Sequence, residues 1–109
     1  MRNLILSALL LSAASLFIPT SVFAAGDAEA GAVEASQCMG CHGIPGYNNV
    51  YPTYKVPKVG GQNYEYLVAA LHEYRNGERD HPTMEVQADS LSDEQIENIA
   101  AYFSSVGGE

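Results

Sequence analysis

Basic residues are scarce in this 109-residue sequence, which has five lysines and arginines against 13 aspartates and glutamates. A chain with this balance repels phosphate groups, so the composition argues against nucleic acid and anionic lipid as partners. It favours partner proteins with a basic docking patch, although acidity also keeps small secreted proteins soluble. Tryptophan is absent, and there are only two cysteines. Because both cysteines lie in one short motif, no structural disulfide is expected.

Long apolar runs are also rare, and the single one extends from Leu4 to Ile18 after the positively charged start Met1-Arg2-Asn3. Small residues in Val22-Phe23-Ala24 then provide a cleavage site, as is typical of a secretory signal peptide. An uncleaved membrane anchor is the alternative, but the run is shorter than the roughly 20 residues that span a bilayer. We therefore predict a signal peptide over residues 1–24 and one periplasmic domain over residues 25–109, whose net charge is −9.

The cysteines belong to Cys38-Met39-Gly40-Cys41-His42, a pattern that indicates covalent haem attachment. One helical turn brings the two sulfurs to the spacing of the porphyrin vinyl groups, and the adjoining imidazole falls beneath the iron. A redox dithiol is one alternative, but it should follow a strand in a βαβ pattern, which is not apparent. Zinc is another, but four well-placed ligands are hard to find among two cysteines and three histidines. We predict one haem c, bound through Cys38 and Cys41, with His42 as an axial iron ligand.

The second axial position has several candidates, namely Met84, His81, His72 or a vacant site. Met39 lies inside the binding turn and cannot reach the opposite face of the haem. Met84 lies between Asp80 and Glu85 in a segment that we predict to be a non-periodic strap, held open by Pro82. Its polar neighbours make a core-filling methionine less favoured, so Met84 is the preferred ligand and His81 its main rival.

Three helical patterns surround one irregular stretch. The first runs from Asp27, a candidate N-cap, to about Gly40. The stretch from Gly43 to Gln62 has no periodicity and predicts a long loop that wraps around the haem. Helical spacing resumes from Asn63 to Asn76, closed by Gly77, with an apolar face formed by Leu67, Ala70, Leu71 and Tyr74. The fold class predicted is all-α, with three main helices and long loops around one haem.

The last helix has the clearest boundary signals. Ser92 and Gln95 form a capping box, and Leu91 with Ile96 forms a hydrophobic staple. Gly107-Gly108 ends the helix. Its inward face consists of Ile96, Ile99, Ala100 and Phe103.

Few side chains are suited to contact haem propionates. In the loop, Tyr47, Tyr51 and Tyr54 can pack on the porphyrin or donate to a propionate, and ordinary packing is the favoured interpretation for each. After the predicted signal peptide the only basic residues are Lys55, Lys58, Arg75 and Arg79. Our hypothesis is that at least one arginine neutralises a propionate, whereas exposed ion pairs are the alternative.

The sequence resembles the class I cytochromes c, of the small bacterial monohaem kind that is also similar to one half of dihaem cytochromes. The likeness covers nearly all of the predicted mature chain. Besides the haem motif and Met84, its motifs are Pro57-Lys58-Val59-Gly60-Gly61-Gln62, Tyr74-Arg75-Asn76-Gly77 and Leu91-Ser92-Asp93. The resemblance implies the cytochrome c fold, a hydrogen bond from the haem histidine to the Pro57 carbonyl, and a crossing of the first and last helices at Gly31 and Tyr102. Val59 stands where leucine is commoner, and without tryptophan any propionate bond must come from tyrosine or arginine.

We therefore expect a periplasmic single-electron carrier with His42 and Met84 as axial ligands, and not an enzyme. One alternative is the cytochrome subunit of a periplasmic dehydrogenase, which an exposed apolar patch would favour. The other is a haem sensor or enzyme with a vacant or labile sixth site. The sequence does not identify the electron donor, the acceptor or the oligomeric state.

Overall fold

A computed structural model describes residues 25–107, so the predicted signal peptide lies outside the described residues. The fold is mainly helical, as predicted. The four α-helices of at least seven residues are α1 (Ala28–Glu34), α3 (Tyr64–Arg75), α4 (Pro82–Asp89) and α5 (Asp93–Ser105), and a single-turn helix α2 spans Met39–His42. In this part of the chain no helix has the length and apolar character needed to cross a membrane.

The first predicted helix is divided into three pieces. Asp27 caps α1 as predicted, because its side chain accepts hydrogen bonds from the amides of Glu29 and Ala30. The continuous helix expected to about Gly40 is wrong, since a 3₁₀ turn over Ala35–Gln37 separates α1 from α2. Its tighter hydrogen bonds, such as the 2.8 Å bond from the Cys38 amide to the Ala35 carbonyl, turn the chain before the first thiol.

Helices α1 and α5 cross at a glycine. A Cβ atom on Gly31 would overlap the backbone carbonyl of Asn98 and lie 3.0 Å from Cβ of Tyr102. The implied approach of Gly31 to Tyr102 is therefore present in the structure. Beside it, Oδ1 of the buried Asn98 accepts a 2.7 Å hydrogen bond from the amide of Asp27. The crossing joins the two ends of the described chain.

The hydrophobic core lies where α3 and α5 meet. The predicted inward face of α5 is confirmed, because Ile96, Ile99, Ala100 and Phe103 are all buried. Both halves of the Ser92–Gln95 capping box are formed. Leu91 and Ile96 belong to the same buried cluster, as the staple requires. Helix α3 begins at its Asn63 cap and contributes Leu67 to this cluster.

The loop between α2 and α3 contains a small hairpin that the sequence analysis missed. Strands β1 (Asn48–Val50) and β2 (Thr53–Lys55) pair antiparallel, with Asn49 opposite Tyr54. Hydroxyl and amide side chains close the turn, since Thr53 donates to the Val50 carbonyl across 2.7 Å and Asn49 donates to the Pro52 carbonyl across 2.6 Å. Strands of three residues are too short to show, in the sequence, the alternation of apolar and polar residues that identifies a strand.

The predicted non-periodic strap is wrong, because Met84 lies in the first turn of α4. Pro82 occupies the first helical position, where the missing N–H would have no intrahelical partner and the fixed φ suits the helix. His81 is the N-cap residue, and its Nδ1 accepts a hydrogen bond from the Met84 amide across 3.4 Å. The proline therefore starts a helix here instead of keeping the chain open.

Candidate haem site

The two thiols lie on one short helical turn. The amide of His42 donates to the Cys38 carbonyl across 2.9 Å, which fixes the spacing between the first thiol and the imidazole. No disulfide joins the two cysteines, of which Cys38 is half-buried and Cys41 is exposed. Burial raises the pKa of the Cys38 thiol. Redox dithiols need a thiol of lowered pKa as the attacking group, so this environment does not support the dithiol alternative for Cys38.

The imidazole of His42 is held in one orientation. Its Nδ1 donates a hydrogen bond to the Pro57 carbonyl oxygen across 2.7 Å. A carbonyl can only accept, so Nδ1 carries a proton, and in the neutral ring the lone pair of Nε2 is then free. This is the contact that the resemblance implied for Pro57, and it links α2 to the loop after β2. An outer hydrogen bond of this kind orients a ligating imidazole and raises its basicity.

Both thiols, His42, Pro57 and Met84 line one cavity of about 640 Å³. Its volume lies within the roughly 300–1,000 Å³ that ligand and cofactor sites occupy. The walls come from α3, α4 and the hairpin loop. Apolar and aromatic side chains dominate these walls: Tyr54, Val56, Val59, Tyr66, Leu67, Ala70, Leu71 and Tyr74. A large flat apolar cofactor suits this lining.

The donor atoms fit haem better than zinc. Thiols, a free imidazole nitrogen and a thioether are the groups with which c-type cytochromes hold their haem and its iron. Within residues 25–107 no three histidine, cysteine, aspartate or glutamate side chains come together in a group that could hold a metal ion. The described part of the chain therefore offers no tetrahedral zinc site of protein ligands.

His81 also lines the cavity, beside Met84. The rings of Tyr54 and Tyr74 meet it edge-on, with centroids 4.7 and 6.3 Å away. A 3.2 Å hydrogen bond from the Tyr54 hydroxyl to Thr83 Oγ1 joins the hairpin to the first turn of α4. Aromatic contacts and the helix cap thus give His81 a structural role. His72 does not line the cavity and instead contacts Arg75.

The two arginines occupy different environments. Arg79 lines the cavity, donates to the Tyr66 hydroxyl across 3.2 Å and lies 4.9 Å from the centre of the Tyr74 ring. The bond to Tyr66 is the main reason that the pKa of Arg79 is raised. Arg75 does not line the cavity. It forms a 2.6 Å ion pair with Asp93 and donates to the Leu91 carbonyl across 3.2 Å, which ties α3 to the start of α5.

Among the loop tyrosines singled out from the sequence, only Tyr54 lines the cavity, and Tyr51 is 95% exposed. Tyr66 also lines the cavity and was not predicted to do so, although the spacing of Tyr66, Ala70 and Tyr74 on α3 places all three along one face. Polar cavity residues on other elements carried no detectable sequence signal: Gln37, Gln62, Thr83 and Gln87.

Comparisons with known proteins identify the family of this chain. A family model described as cytochrome C oxidase, cbb3-type, subunit III, matches residues 25–103. Cytochrome c-554(548) of Halomonas halodenitrificans is 42% identical over 84 residues, which cover 74% of this chain and 98% of that protein. The haem-attachment motif, the helical fold and these matches show that the chain belongs to the c-type cytochromes, a family of electron-transport proteins with covalently bound haem.

Longer relatives match as well. Cytochrome c4 of Pseudomonas aeruginosa is 38% identical over 105 residues, which cover 96% of this chain and 49% of that protein. A solved cytochrome c4 structure from Acidithiobacillus ferrooxidans superposes with a TM-score of 0.62 at 29% identity, covering 79% of this chain and 53% of that one. This chain thus spans about half the length of these cytochrome c4 relatives. Another relative, the cytochrome subunit of sulfide dehydrogenase of Chlorobaculum tepidum, is 32% identical over 76 residues, which cover 70% of this chain and 66% of that protein.

Proposed function

We propose that this chain is a periplasmic single-electron carrier that binds one haem c through Cys38 and Cys41. The main support is that both thiols, the His42 imidazole and the Met84 thioether line the same cavity. The signal-peptide pattern in residues 1–24 supports export to the periplasm. No residue of the site is assigned a catalytic role.

The chain's own residues position the cofactor. The iron of a bound haem c supplies reversible one-electron exchange between its ferrous and ferric states. His42 would bind the iron through the Nε2 lone pair, because Pro57 keeps the proton on Nδ1. Cys41 and His42 are neighbours in the single-turn helix α2, so a thioether bond at Cys41 would also fix the position of the His42 imidazole.

Met84 would be the second iron ligand in this proposal, since it lines the same cavity as His42. His81 is a weaker candidate because its Nδ1 accepts the bond that caps α4. In the neutral ring the proton is then on Nε2, so no nitrogen lone pair is free for iron. Ligation by His81 would require the other tautomer and the loss of the cap. Met84 needs no such change, since only its backbone amide is used by the cap.

The apolar walls set the electrostatic environment. Leu67 is buried, Val59 and Leu71 are half-buried, and all three line the cavity. They keep water from the cofactor, which disfavours the more highly charged ferric state. Thioether ligation acts in the same direction and raises the reduction potential. Helix α4, which carries Met84, packs against α3, and the Pro57 carbonyl orients His42, so both ligands would stay bound when the oxidation state changes.

The partners of such a carrier are redox proteins. The chain's net charge of −8 favours a basic patch on those partners wherever its acidic surface is in contact. Exposed apolar side chains at Ile44, Val50 and Tyr51 also favour a second candidate function, that of a cytochrome subunit in a dehydrogenase complex. Copurification of a stoichiometric enzyme subunit from the native periplasm would support the complex, and recovery of the cytochrome alone would support the free carrier.

The covalent assignment has a direct test. The haem of the wild-type holoprotein should stay with the polypeptide in acidified organic solvent, because two thioether bonds hold it. Cys41→Ala should give a single-bond product or lose stable attachment, as seen by mass spectrometry. Free extraction of haem from the wild type would refute the proposal.

A further inference from the structure

Helix α4 carries Met84, the proposed second iron ligand, but has little packing of its own. Among its eight residues, all of which the structure describes, Ala88 alone is buried. The helix packs mainly against α3, and Met84 is half-buried. Few buried apolar contacts are typical of segments that open locally. The first turn of α4 therefore needs a further attachment if Met84 is to stay in one place.

The hairpin provides this attachment through Tyr54. The Tyr54 hydroxyl donates a 3.2 Å hydrogen bond to Oγ1 of Thr83, the residue directly before Met84. The Tyr54 ring also meets the ring of His81, the cap of α4, edge-on at a centroid distance of 4.7 Å. We call these two contacts of Tyr54 the hairpin latch. It holds the end of α4 on which Met84 lies.

Tyr54 is itself held by contacts that do not involve α4. Strand β2 pairs with β1, which places Tyr54 opposite Asn49. At the base of the hairpin the Val56 amide donates to the Tyr47 carbonyl across 3.0 Å. Strand pairing and this closing bond fix the hairpin backbone on both sides of Tyr54. The latch therefore connects α4 to a braced element and not to a free loop.

The latch lies in the wall of the haem cavity. Tyr54, His81, Thr83 and Met84 all line that cavity. The latch thus joins two parts of the wall that are far apart in the sequence, the hairpin and the start of α4. Tyr51 belongs to the same hairpin but is 95% exposed and does not line the cavity. It provides a matched tyrosine without the contact.

We propose that Tyr54 is a positioning residue that acts through Thr83 to hold Met84 in place, and that loss of this latch makes the second axial ligand labile. The inference rests on the proposed function, in which Met84 is an iron ligand. Met84 can leave the iron only if the first turn of α4 moves, and the latch opposes that movement. One net hydrogen bond is enough to change such an opening equilibrium about fivefold.

Imidazole binding to the ferric holoprotein measures how often Met84 leaves the iron. At saturating imidazole the binding rate is limited by Met84 dissociation, because the position must first be vacated. Tyr54→Phe removes the hydroxyl and keeps the ring, so it should raise this limiting rate about fivefold. Tyr51→Phe is the matched control and should keep the wild-type rate. Equal rates for the two variants would overturn the proposal.

Variants of Thr83 separate the latch from direct contact between Tyr54 and the cofactor. Thr83→Val should raise the limiting rate about as much as Tyr54→Phe, whereas Thr83→Ser keeps the hydroxyl and should keep the wild-type rate. The double variant Tyr54→Phe/Thr83→Val should be no faster than either single variant, because both remove the same hydrogen bond. If the two effects multiplied in the double variant, the side chains would act separately and the latch would be refuted.

A distant cap distinguishes local release of α4 from general loss of stability. Asp27→Ala removes the cap of α1 and should lower the stability of the fold without changing the limiting rate. Tyr54→Phe should speed amide hydrogen exchange in α4 and leave exchange in α5 unchanged. An equal rise in the imidazole rate for Asp27→Ala, or equal acceleration of exchange in both helices, would contradict a local latch.

The weak red absorption band of the ferric protein distinguishes the two levels of the argument. Wild type and Tyr54→Phe should both show this band, because the latch changes how often Met84 leaves and not which ligand is bound. A band in both proteins together with equal limiting rates would refute only the latch. A wild type that lacks the band and binds imidazole without a limiting rate would refute Met84 ligation, and the latch with it.

Discussion

The Nδ1 atom of His42 lies 2.7 Å from the carbonyl oxygen of Pro57 and donates a hydrogen bond to it. The contact joins the haem-attachment turn to the loop that follows the hairpin. It fixes the proton of the neutral ring on Nδ1 and leaves Nε2 free to bind iron. Since the acceptor is a backbone atom, substitution of Pro57 can only change where the acceptor lies.

Pro57→Gly should therefore raise the midpoint potential while haem stays attached. Glycine releases the fixed φ of proline, so the carbonyl can move away from His42 and the imidazole becomes a weaker donor to ferric iron. A redox titration measures the change. Pro45→Gly, at an exposed proline of the same loop, is the control and should leave the potential unaltered. A fall in potential for Pro57→Gly would contradict this account of the hydrogen bond.

Arg79→Gln should shift the midpoint potential or its pH dependence, because Arg79 is the arginine that lines the cavity. Removing a positive charge near the cofactor stabilises the ferric state, so the potential should fall. Arg75→Gln is the matched comparison. It should leave the potential unchanged and lower thermal stability, since the Leu91 carbonyl loses its donor, at a cost of about 1 kcal/mol. The reverse pattern would place the propionates near Arg75.

The sequence predicted the long helices well because their signals are local. The Ser92–Gln95 capping box, the Asn63 cap and the spacing of Ile96, Ile99 and Phe103 all depend on residues within a few positions of one another. The first helix also began at its predicted cap, Asp27, but it ended sooner than expected.

Other features depended on context that the sequence alone did not provide. Pro82 was interpreted as keeping the chain open, yet the same residue is favourable at the first position of a helix once His81 caps it. The hairpin is too short for a periodic pattern, and its side-chain bonds at Asn49 and Thr53 are not evident from composition. Arg75 contacts Leu91 and Asp93 because α3 packs against α5, and a contact between residues so far apart in the chain is not evident from local sequence.

Gly31→Ala should destabilise the protein strongly. The added Cβ would overlap the backbone carbonyl of Asn98, and backbone atoms of α5 cannot move aside as a flexible side chain can. We expect a loss of about 2–3 kcal/mol in the free energy of unfolding, measured by denaturant titration of the holoprotein. Ala32→Ser, at the exposed neighbouring position, should cost less than about 0.5 kcal/mol. Similar losses for both would mean that α1 and α5 do not cross closely at Gly31.

Asp93 should stabilise the protein above about pH 4 and contribute less as the pH falls below that value. The hydrogen bond from Arg75 holds the pKa of the Asp93 carboxyl below its ordinary value of 3.8. A pKa that is lower in the folded state gives a stabilisation that is fully present above the unfolded value and is lost as pH falls through the folded value. Asp93→Asn should therefore be less stable than the wild type at pH 6, and the difference should shrink at pH 3.

Denaturant midpoints at the two pH values measure this difference. Glu94→Gln, at the exposed neighbouring position, is the control, and its difference in stability from the wild type should not shrink between pH 6 and pH 3. If the gap between Asp93→Asn and the wild type stayed constant from pH 6 to pH 3, the pairing with Arg75 would not contribute to stability.

The identity of the second axial ligand is tested by comparing Met84→Ala with His81→Asn. Asparagine keeps an N-cap acceptor for α4 and removes the imidazole, so it separates ligation from capping. Met84→Ala should abolish the weak red absorption band of ferric iron bound to thioether sulfur, open the site to carbon monoxide and lower the midpoint potential. His81→Asn should keep all three properties. If Met84→Ala left these three properties unchanged and His81→Asn altered them, the iron would have two histidine ligands. If neither variant changed them, the site would be five-coordinate and the protein would be a sensor or enzyme.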